Sequence, residues 1–329
     1  MTTLPDIYFL KEWGNYYKTK EFKGDFQLFE LKDDMGHIYY PFIKRPIIIN
    51  DVETNYFDTI TPYGFNGPII LKCLDNKREE IIALFDEKFQ NYCDKNNIIT
   101  EYIRFNPWLK NHSDFKDIYK FRNHGTTLYI DIDGNDFFMD EFSSNARTQV
   151  RRGRKNNLEI KFDFDGSSSK EFARLYALMA KKNNIDDYYK FSEEFLRNSF
   201  QVFEGKQFII SAIYEGKYIA ASLVVFHEEK LHYFLTATDP DYYHMAANSL
   251  LIYEICRWGN ENNKKVVHLG GAGNVEGVKR YKKGFTKTDE LELWIGYKTR
   301  NQKVYDELVT MKKNVDEISN YKYFPLYRG

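Results

Sequence analysis

The chain has 329 residues, of which 43% are hydrophobic, 29% charged and 17% aromatic, so it can bury a large core and wholesale disorder is excluded. Its 47 Lys and Arg residues balance 48 Asp and Glu residues, and the net charge of −1 argues against a nucleic-acid backbone as the main partner. No apolar run reaches the roughly 18 residues of a membrane span, and no signal peptide is recognisable at the N-terminus. Three widely spaced cysteines favour a reducing compartment, so we expect a cytoplasmic protein.

The first half of the chain predicts strands and one long helix. The β-rich runs 26–31 and 37–43 flank a loop that ends in glycine, as in a hairpin. Apolar residues at helical spacing predict an amphipathic helix over 77–95. Further strands are predicted at 47–49, 100–105 and 126–132. Between them, residues 61–68 hold two prolines and two glycines, which indicates a loop.

The second half begins with a helix over 143–156 and then predicts the order β-α-α-β-β-β-α-β-α-β, followed by a last helix. The predicted strands are 158–164, 207–214, 217–227, 230–238, 266–269 and 290–298. The predicted helices are 170–182, 192–203, 246–262, 275–283 and 301–318. An antiparallel meander that feeds a β-α-β unit is typical of the α+β class. We expect two domains, 1–145 and 146–329, with the C-terminal helix able to pack back on the first.

The basic helix carries three arginines on one face. Arg147, Arg151 and Arg154 stand at i, i+4 and i+7, and no acidic residue occurs between Glu141 and Glu159. Guanidinium groups form planar bidentate pairs with phosphate, so this face suits a diphosphate. A solvated surface stripe, or ion pairs with acids elsewhere in the chain, is the alternative interpretation.

The loop between the last predicted meander strand and the next helix is a second candidate site for phosphate. The backbone N–H groups at a helix N-terminus are unpaired and carry partial positive charge. Here the connecting stretch is Asp239-Pro-Asp-Tyr-Tyr-His-Met-Ala-Ala-Asn-Ser249. Its small residues allow a ligand to approach the backbone closely.

This arrangement resembles the GNAT acyltransferase superfamily, in which that loop and helix cradle the pyrophosphate of coenzyme A. In the family's motif, an Arg or Gln is followed after two residues by Gly or Ala; here His244-Met-Ala-Ala247 occupies the place. The resemblance implies acyl-CoA as co-substrate. It also implies the coenzyme-binding set Thr238, Asp239, His244, Ala246, Ala247, Asn248 and Ser249.

A longer match is to the FemAB-like branch of GNAT proteins, which have two GNAT-like domains in tandem, each a mixed, largely antiparallel sheet flanked by helices. It rests on Leu231–Thr238, Asn248–Leu251, His268–Gly271 and Tyr281–Phe285, on the loop Thr61–Pro68, and on the arginine-bearing helix. The resemblance implies that Tyr63, Phe65, Arg147 and Arg151 contact the substrate. Tyr63 and Phe65 could equally plug the edge of a core.

The same resemblance suggests catalytic residues. His268 ends a short apolar strand near the expected acyl carbonyl, Tyr281 could protonate the departing thiolate, and Lys282 could stabilise the oxyanion. His232 and Tyr233 point to opposite faces of their strand, so one should face the substrate cleft. His268, His232 and Asp239 are the candidate bases. Half-buried histidines, core packing of Tyr281 and a solvated lysine are the alternatives.

The branch divides by acyl donor. Fem ligases transfer an amino acid from aminoacyl-tRNA to a peptidoglycan stem peptide, and many carry a long helical hairpin in the second domain. Similar proteins acylate the amine of a nucleotide-linked amino sugar for surface polysaccharide such as O-antigen or capsule. The two short helices broken by Asn183-Asn184 and the balanced charge favour the sugar acyltransferase. A non-catalytic GNAT-like binding module is a further alternative. No metal-ligand motif is present, so no metal is expected.

Overall fold

The computed structural model describes residues 3–21, 23–134, 136–183, 190–273, 275–313 and 323–329. Its strands are β1 (Asp25–Asp33), β2 (Gly36–Ile49), β3 (Val52–Ile60), β4 (Ile69–Cys73), β5 (Ile98–Arg104), β6 (Lys120–Asp131), β7 (Glu159–Asp163), β8 (Gln207–Tyr214), β9 (Lys217–His227), β10 (Lys230–Thr238), β11 (Val266–Gly271) and β12 (Leu291–Thr299). Its helices are α1 (Lys11–Tyr17), α2 (Arg78–Lys95), α3 (Phe137–Asp140), α4 (Ser144–Lys155), α5 (Ser169–Lys182), α6 (Glu193–Val202), α7 (Ala247–Glu261), α8 (Glu276–Lys283) and α9 (Gln302–Lys313).

The chain forms two compact units. The first comprises Met1–Leu4, Tyr8–Gly125 and Glu292–Gly329, and the second comprises Pro5–Ile7 and Thr126–Leu291. The division falls between residues 125 and 126, whereas the sequence placed it between 145 and 146. The boundary lies earlier than predicted because α4 packs on α7, and the amide of its cap residue Ser143 donates a hydrogen bond to the carbonyl of Gly284. These elements therefore belong to the second unit.

The first unit is a mixed sheet with the strand order β1-β2-β3-β5-β12, and β4 pairs with β2. β3 runs parallel to β5, and the other pairs are antiparallel. One stripe of α2 is buried, where Phe85 and Phe89 pack with Phe42 and Ile103. The predicted helix over 301–318 corresponds to α9, and residues 314–318 lie outside the described residues.

Strand β12 belongs to the first unit although it follows the whole of the second unit in sequence. Residues 295–299 pair with 100–104 of β5. Beyond the strand, the fully buried guanidinium of Arg300 lies 2.5 Å from Glu101 and 2.6 Å from Asp86. Leu308 of α9 packs with Ile47 and Ile99. Burial of these groups fixes the C-terminal segment on the first unit.

The second unit is a sheet with the strand order β6-β11-β10-β9-β8-β7. All neighbours are antiparallel except β10 and β11. α4 and α7 pack over one core with Leu231, Tyr233 and Val267, while α5 packs against β9 and β10. α5 and α6 are the two short helices that the sequence predicts, and residues 184–189 between them lie outside the described part. The α+β class with mixed, largely antiparallel sheets and flanking helices is confirmed.

Candidate active site

The parallel strands β10 and β11 separate in the middle of the second unit. Their register pairs run from Lys230–Val266 to His232–His268. Directly after these histidines, both strands have irregular registers with their outer neighbours, at Tyr233/Leu235 and at His268/Gly270. β-Bulges bend and twist a strand, so each strand turns towards its outer partner and the sheet opens beyond the histidine pair.

Helix α7 starts at the far end of β10 without a side-chain cap. Its cap residue, Ala246, has left-handed backbone angles of φ 56° and ψ 26°, and no side chain bonds to the first-turn amides. A methyl side chain leaves this end of the helix open. The first-turn N–H groups of α7 have no carbonyl partner within the helix, and together with the helix dipole they suit phosphate oxygens.

A cavity of about 470 Å³ lies at this helix end. Five of the seven residues predicted to bind the coenzyme line it, and Tyr281 lines it as well. The lining residues are Asn145, Gln149, Thr238, Tyr243, Ala246, Ala247, Asn248, Ser249 and Tyr281. The structure thus brings residues from α4, β10, α7 and α8 to one space that is large enough for part of a coenzyme.

The two other predicted coenzyme residues have structural contacts outside this lining. Asp239 is buried, accepts a hydrogen bond from the amide of Asp241, and lies 3.0 Å from the ammonium of Lys217. Burial acts to raise its pKa, but these two contacts hold the pKa below the usual value. Asp239 is therefore an ionised turn residue. His244 is exposed, and its ring stacks on Tyr242.

Tyr281 borders a second space as well. A cavity of about 280 Å³ is lined by Asn145, Gln149, Ser249 and Tyr281, which the first cavity shares, and by residues of α8 such as Arg280. The hydroxyl groups of Tyr281 and Ser249 lie 3.2 Å apart. Desolvation raises the pKa of the Tyr281 phenol above its usual value, so it is protonated at neutral pH and can donate a proton.

Tyr233 faces the α7 side of the sheet. Its hydroxyl donates a hydrogen bond of 2.6 Å to the side chain of Asn248, in the first turn of α7. Burial raises the pKa of Tyr233, so this tyrosine also remains protonated. Of the pair His232 and Tyr233, it is therefore the tyrosine that supports the coenzyme cavity.

Lys282 ties α8 to the end of β11. Its ammonium donates to the carbonyls of Leu269 and Gly271, each at 2.6 Å. Burial lowers the pKa of Lys282 to about 8. Gly270, between the two carbonyls, has a φ of 70°, which favours glycine. Through these two hydrogen bonds, Lys282 fixes the end of β11, beyond the point where β10 and β11 separate.

His232 and His268 form a buried pair with an aspartate that the sequence analysis missed. Their Nδ1 atoms lie 3.2 Å apart, and Nε2 of His232 lies 3.1 Å from Oδ1 of Asp6. Burial, followed by the neighbouring His232, lowers the pKa of His268 to about 3, so His268 is neutral at pH 7. Asp6 belongs to no sequence motif, because its contact with His232 joins the start of the chain to a strand that lies far along the sequence.

The arginines of α4 face away from the coenzyme cavity. Asn145 and Gln149 line the cavity, whereas Arg147 donates hydrogen bonds to the carbonyls of Phe142 and Met139. Arg151 is exposed, with its guanidinium 5.8 Å from the centre of the Phe138 ring. The structure therefore does not bring Arg147 or Arg151 into the cavity, and Arg147 serves the carbonyl end of the preceding helix.

Tyr63 and Phe65 lie in the first unit, in the loop between β3 and β4. The Tyr63 ring stacks on Tyr17, and its carbonyl accepts a 2.6 Å hydrogen bond from the indole of Trp13. Phe65 makes an edge contact with Tyr8. Both rings are half-buried in an aromatic cluster that holds the loop.

The described residues contain neither a candidate metal site nor a helix that could span a membrane. No group of three or more His, Cys, Asp or Glu side chains among them could hold a metal ion. None of the helices that the structure describes is both long and apolar enough to cross a membrane.

Known proteins resemble this chain in part of its sequence and in its fold. Residues 144–283, from α4 to α8, match the family described as "Acetyltransferase (GNAT) domain". Solved structures with a similar fold include FemX, at 13% identity and a TM-score of 0.70, over 93% of this chain and 96% of that chain. No curated protein matches the chain.

Two further structures share the fold at low identity. One is the C-terminal domain of a putative lysylphosphatidylglycerol synthetase from Agrobacterium fabrum, with 13% identity and a TM-score of 0.56 over 89% of this chain and 88% of that one. The other is a tandem GNAT protein from the clavulanic acid biosynthesis pathway, with 8% identity and a TM-score of 0.51 over 84% of each chain. Residues 144–283 thus resemble a GNAT acetyltransferase domain, and the fold of the whole chain is similar to that of a tandem GNAT protein.

Proposed function

We propose that the protein is an N-acyltransferase that takes its acyl group from acyl-CoA. One observation carries the proposal: the cavity at the uncapped start of α7 lies within the GNAT domain and is lined by a tyrosine that can donate a proton. In this proposal the pyrophosphate binds the first-turn amides of α7. The thioester lies towards Tyr281, where the parting of β10 and β11 gives access to backbone groups.

The proposed reaction is direct transfer in a ternary complex. The amine attacks the thioester carbonyl, a C–N bond forms, and the C–S bond breaks as the tetrahedral intermediate collapses. Tyr281 supplies a proton to the departing thiolate, and a base accepts the proton that the amine loses. Holding the two substrates in contact supplies much of the acceleration. Lys282 acts by fixing the end of β11.

The proposed acceptor is the amine of a nucleotide-linked amino sugar for surface polysaccharide. The balanced charge of the chain supports a small anionic acceptor over a long nucleic acid. Of the two arginines that the resemblance implies, Arg151 is the exposed one, so a diphosphate can reach it. Arg151→Ala should therefore raise the acceptor KM more than that of acyl-CoA. Arg197→Ala, at an exposed arginine of α6, is the matched control, and steady-state kinetics for both substrates would show the difference.

A second candidate is Fem-type transfer from aminoacyl-tRNA to a peptidoglycan precursor. The likeness to FemX over nearly the whole of both chains favours it. A tRNA donor displaces many counterions, so its binding weakens steeply with salt, whereas a few contacts in a cavity are less screened. Assays of thiol release from acetyl-CoA with amino-sugar nucleotides, and of transfer from charged tRNA, should be run at low and physiological salt. Transfer from charged tRNA alone would establish the second candidate.

The donor site can be tested with a change of charge at constant shape. Gln149→Glu places a carboxylate beside the proposed pyrophosphate and should weaken acyl-CoA binding by roughly tenfold, about 1.4 kcal/mol. Gln149→Lys should preserve or strengthen binding. Thr148→Glu puts the same charge on an exposed position of α4 outside the lining and serves as control. Calorimetry with coenzyme A measures all three, and equal affinities would contradict the assignment, as would the absence of binding by the wild type.

A further inference from the structure

We infer that Asp6, His232 and His268 form a proton relay that takes the proton from the attacking amine, with Asp6 as its positioning residue. This inference rests on the acyl transfer proposed above. It assigns the base that the reaction requires and adds a residue from the N-terminal segment Pro5–Ile7, which is part of the second unit.

The strand register places the two imidazoles side by side. His232 and His268 are register partners on parallel strands, so their side chains lie on the same face. Their neighbours Leu231 and Val267 belong to the core beneath α7, so the histidines lie on the other face, against which α5 packs. The rings are perpendicular, with centroids 5.3 Å apart. The pair stands at the last register position before the sheet opens.

The N-terminal segment brings a carboxylate to this pair. Asp6 is fully buried, and its Oδ1 lies 3.1 Å from Nε2 of His232. Lys230 donates a 2.9 Å hydrogen bond to the carbonyl of Pro5 and so fixes the residue before Asp6. A buried carboxylate is stable only with charged or hydrogen-bonding partners, which explains why Asp6 meets a histidine here.

These contacts determine which nitrogens carry hydrogen. With Asp6 ionised, the carboxylate oxygen 3.1 Å from Nε2 of His232 favours a hydrogen on that nitrogen, and Nδ1 of the same ring is then an acceptor. Nδ1 of His268 therefore donates to Nδ1 of His232, and the acceptor nitrogen of His268 is Nε2. A proton that leaves the amine reaches the buried Nε2 of His268 through water. The Nδ1 proton of His268 then passes to His232, and the positive charge comes to lie beside Asp6.

The relay overcomes the weakness of His268 as an isolated base. Burial holds the pKa of His268 near 3, and the nearby ammonium groups of Lys282 and Lys230 also disfavour its protonation. Asp6 acts in the opposite direction. Transfer of the charge to His232 places it 3.1 Å from the carboxylate of Asp6, where opposite charges attract. Asp6 therefore raises the proton affinity of the relay as a whole.

The first part of the test determines which histidine nitrogens carry hydrogen, and it requires no substrate. In ¹⁵N-histidine-labelled full-length protein, nitrogen chemical shifts should show His232 protonated at Nε2 and His268 protonated at Nδ1. Asp6→Asn, which keeps the shape of the side chain, should disturb both patterns. If the wild type shows the opposite tautomers, the relay is overturned.

The second arm measures turnover with acetyl-CoA and the amine acceptor. Asp6→Asn should lower kcat by about 10- to 100-fold and leave coenzyme affinity unchanged, because general-base catalysis contributes about 10²- to 10⁴-fold and His268 remains. The acid limb of kcat should move to lower pH, since loss of the carboxylate lowers the proton affinity of the relay. A purely structural role would lower kcat without moving the limb, and that result would overturn the inference.

His232→Gln is the second variant in case Asp6→Asn does not fold. Glutamine can bond to both neighbours but cannot hold the extra proton, so kcat should fall to the same extent. Full activity in either folded variant would overturn the relay while leaving the proposed function intact. The expected tautomers without any acyl transfer from acetyl-CoA would overturn the proposed function, and the catalytic role with it.

Discussion

Lys282 shows how one half-buried ammonium can be both structural and pH-dependent. Burial lowers its pKa from 10.5 to about 8, so between these values the unfolded chain binds more protons than the folded one. Stability therefore rises with pH in this window, relative to a variant without the lysine. Urea unfolding of wild type and Lys282→Met at pH 7.5 and about pH 10 should show the wild type gaining up to about 1.4 kcal/mol per pH unit. A stability difference that does not vary with pH would contradict the shifted pKa.

Tyr281 can be tested through the loss of a single hydroxyl. Tyr281→Phe keeps the ring, which makes an edge contact with Phe285, but removes the hydroxyl group that would protonate the departing thiolate. We expect kcat to fall on the order of 100-fold, with coenzyme affinity retained, since general acids contribute about 10²- to 10⁴-fold. Tyr242→Phe, at a half-buried tyrosine outside the cavity lining, is the control. Stopped-flow detection of free thiol measures both variants.

The residues of the site differ in how far the sequence could reveal them. Five of the seven predicted coenzyme residues line one cavity with Tyr281, and the sequence could single them out because they stand close together in motifs, at a strand end, a helix start and a Gly-Phe pair. Asp6 could not be found, because its importance depends on a contact with β10 that only the folded chain creates. Lys282 also stands in a motif, but its carbonyl partners depend on the bend of β11 after His268.

At the scale of elements, α4 shows the limit of helical periodicity. The sequence predicts its extent to within a residue at each end and its arginine face correctly. Periodicity cannot say which face meets a cavity, because that depends on where α7 and α8 pack. The uncharged pair Asn145 and Gln149 faces the cavity, and nothing in these residue types distinguished them beforehand.

The close packing of α4 on α7 depends on a glycine. A Cβ added at Gly153 would lie 3.0 Å from Cβ of Leu250 and 3.1 Å from the carbonyl oxygen of Ala246, neither of which can move easily. Gly153→Val should therefore lower the free energy of unfolding by about 1–3 kcal/mol. It should also weaken coenzyme binding, since Ala246 caps α7. Gly277→Val in α8 is the control, because a Cβ there meets open space. Thermal unfolding measures the stability of both variants, and calorimetry measures their affinity for coenzyme A. Equal stability and equal affinity in the two variants would contradict the role of Gly153.

Over the whole molecule, the first unit was the harder half to predict. β3 was missed because its sequence, Val-Glu-Thr-Asn-Tyr-Phe-Asp-Thr-Ile, mixes polar with apolar residues and half of its pairing is with the distant β5. β2 was divided because Pro46 interrupts its pattern, although the strand continues through this proline. The meander of the second unit was predicted well because its turns are short and its strands are strongly apolar.

The return of the C-terminal segment to the first unit can be measured. Leu308→Ala removes a buried side chain that packs with Ile47 and Ile99, and should cost about 2–5 kcal/mol. Amide hydrogen exchange should accelerate in β2 and β5 and remain slow in β9 and β10. Lys303→Ala, on the exposed side of α9, should change neither region. Faster exchange in β9 and β10 with β5 unaffected would contradict the division into units.

The position of β12 also governs the order in which the chain can complete its units during translation. β1 to β5 leave the ribosome early, but their last partner, β12, emerges only after the whole of the second unit. The first unit is therefore completed last, although its synthesis begins first. Until β12 has been synthesised, one edge of β5 lacks its partner strand. For the same reason, a premature stop just after Phe285 removes the strand that completes the first sheet, yet it spares every residue that lines the coenzyme cavity.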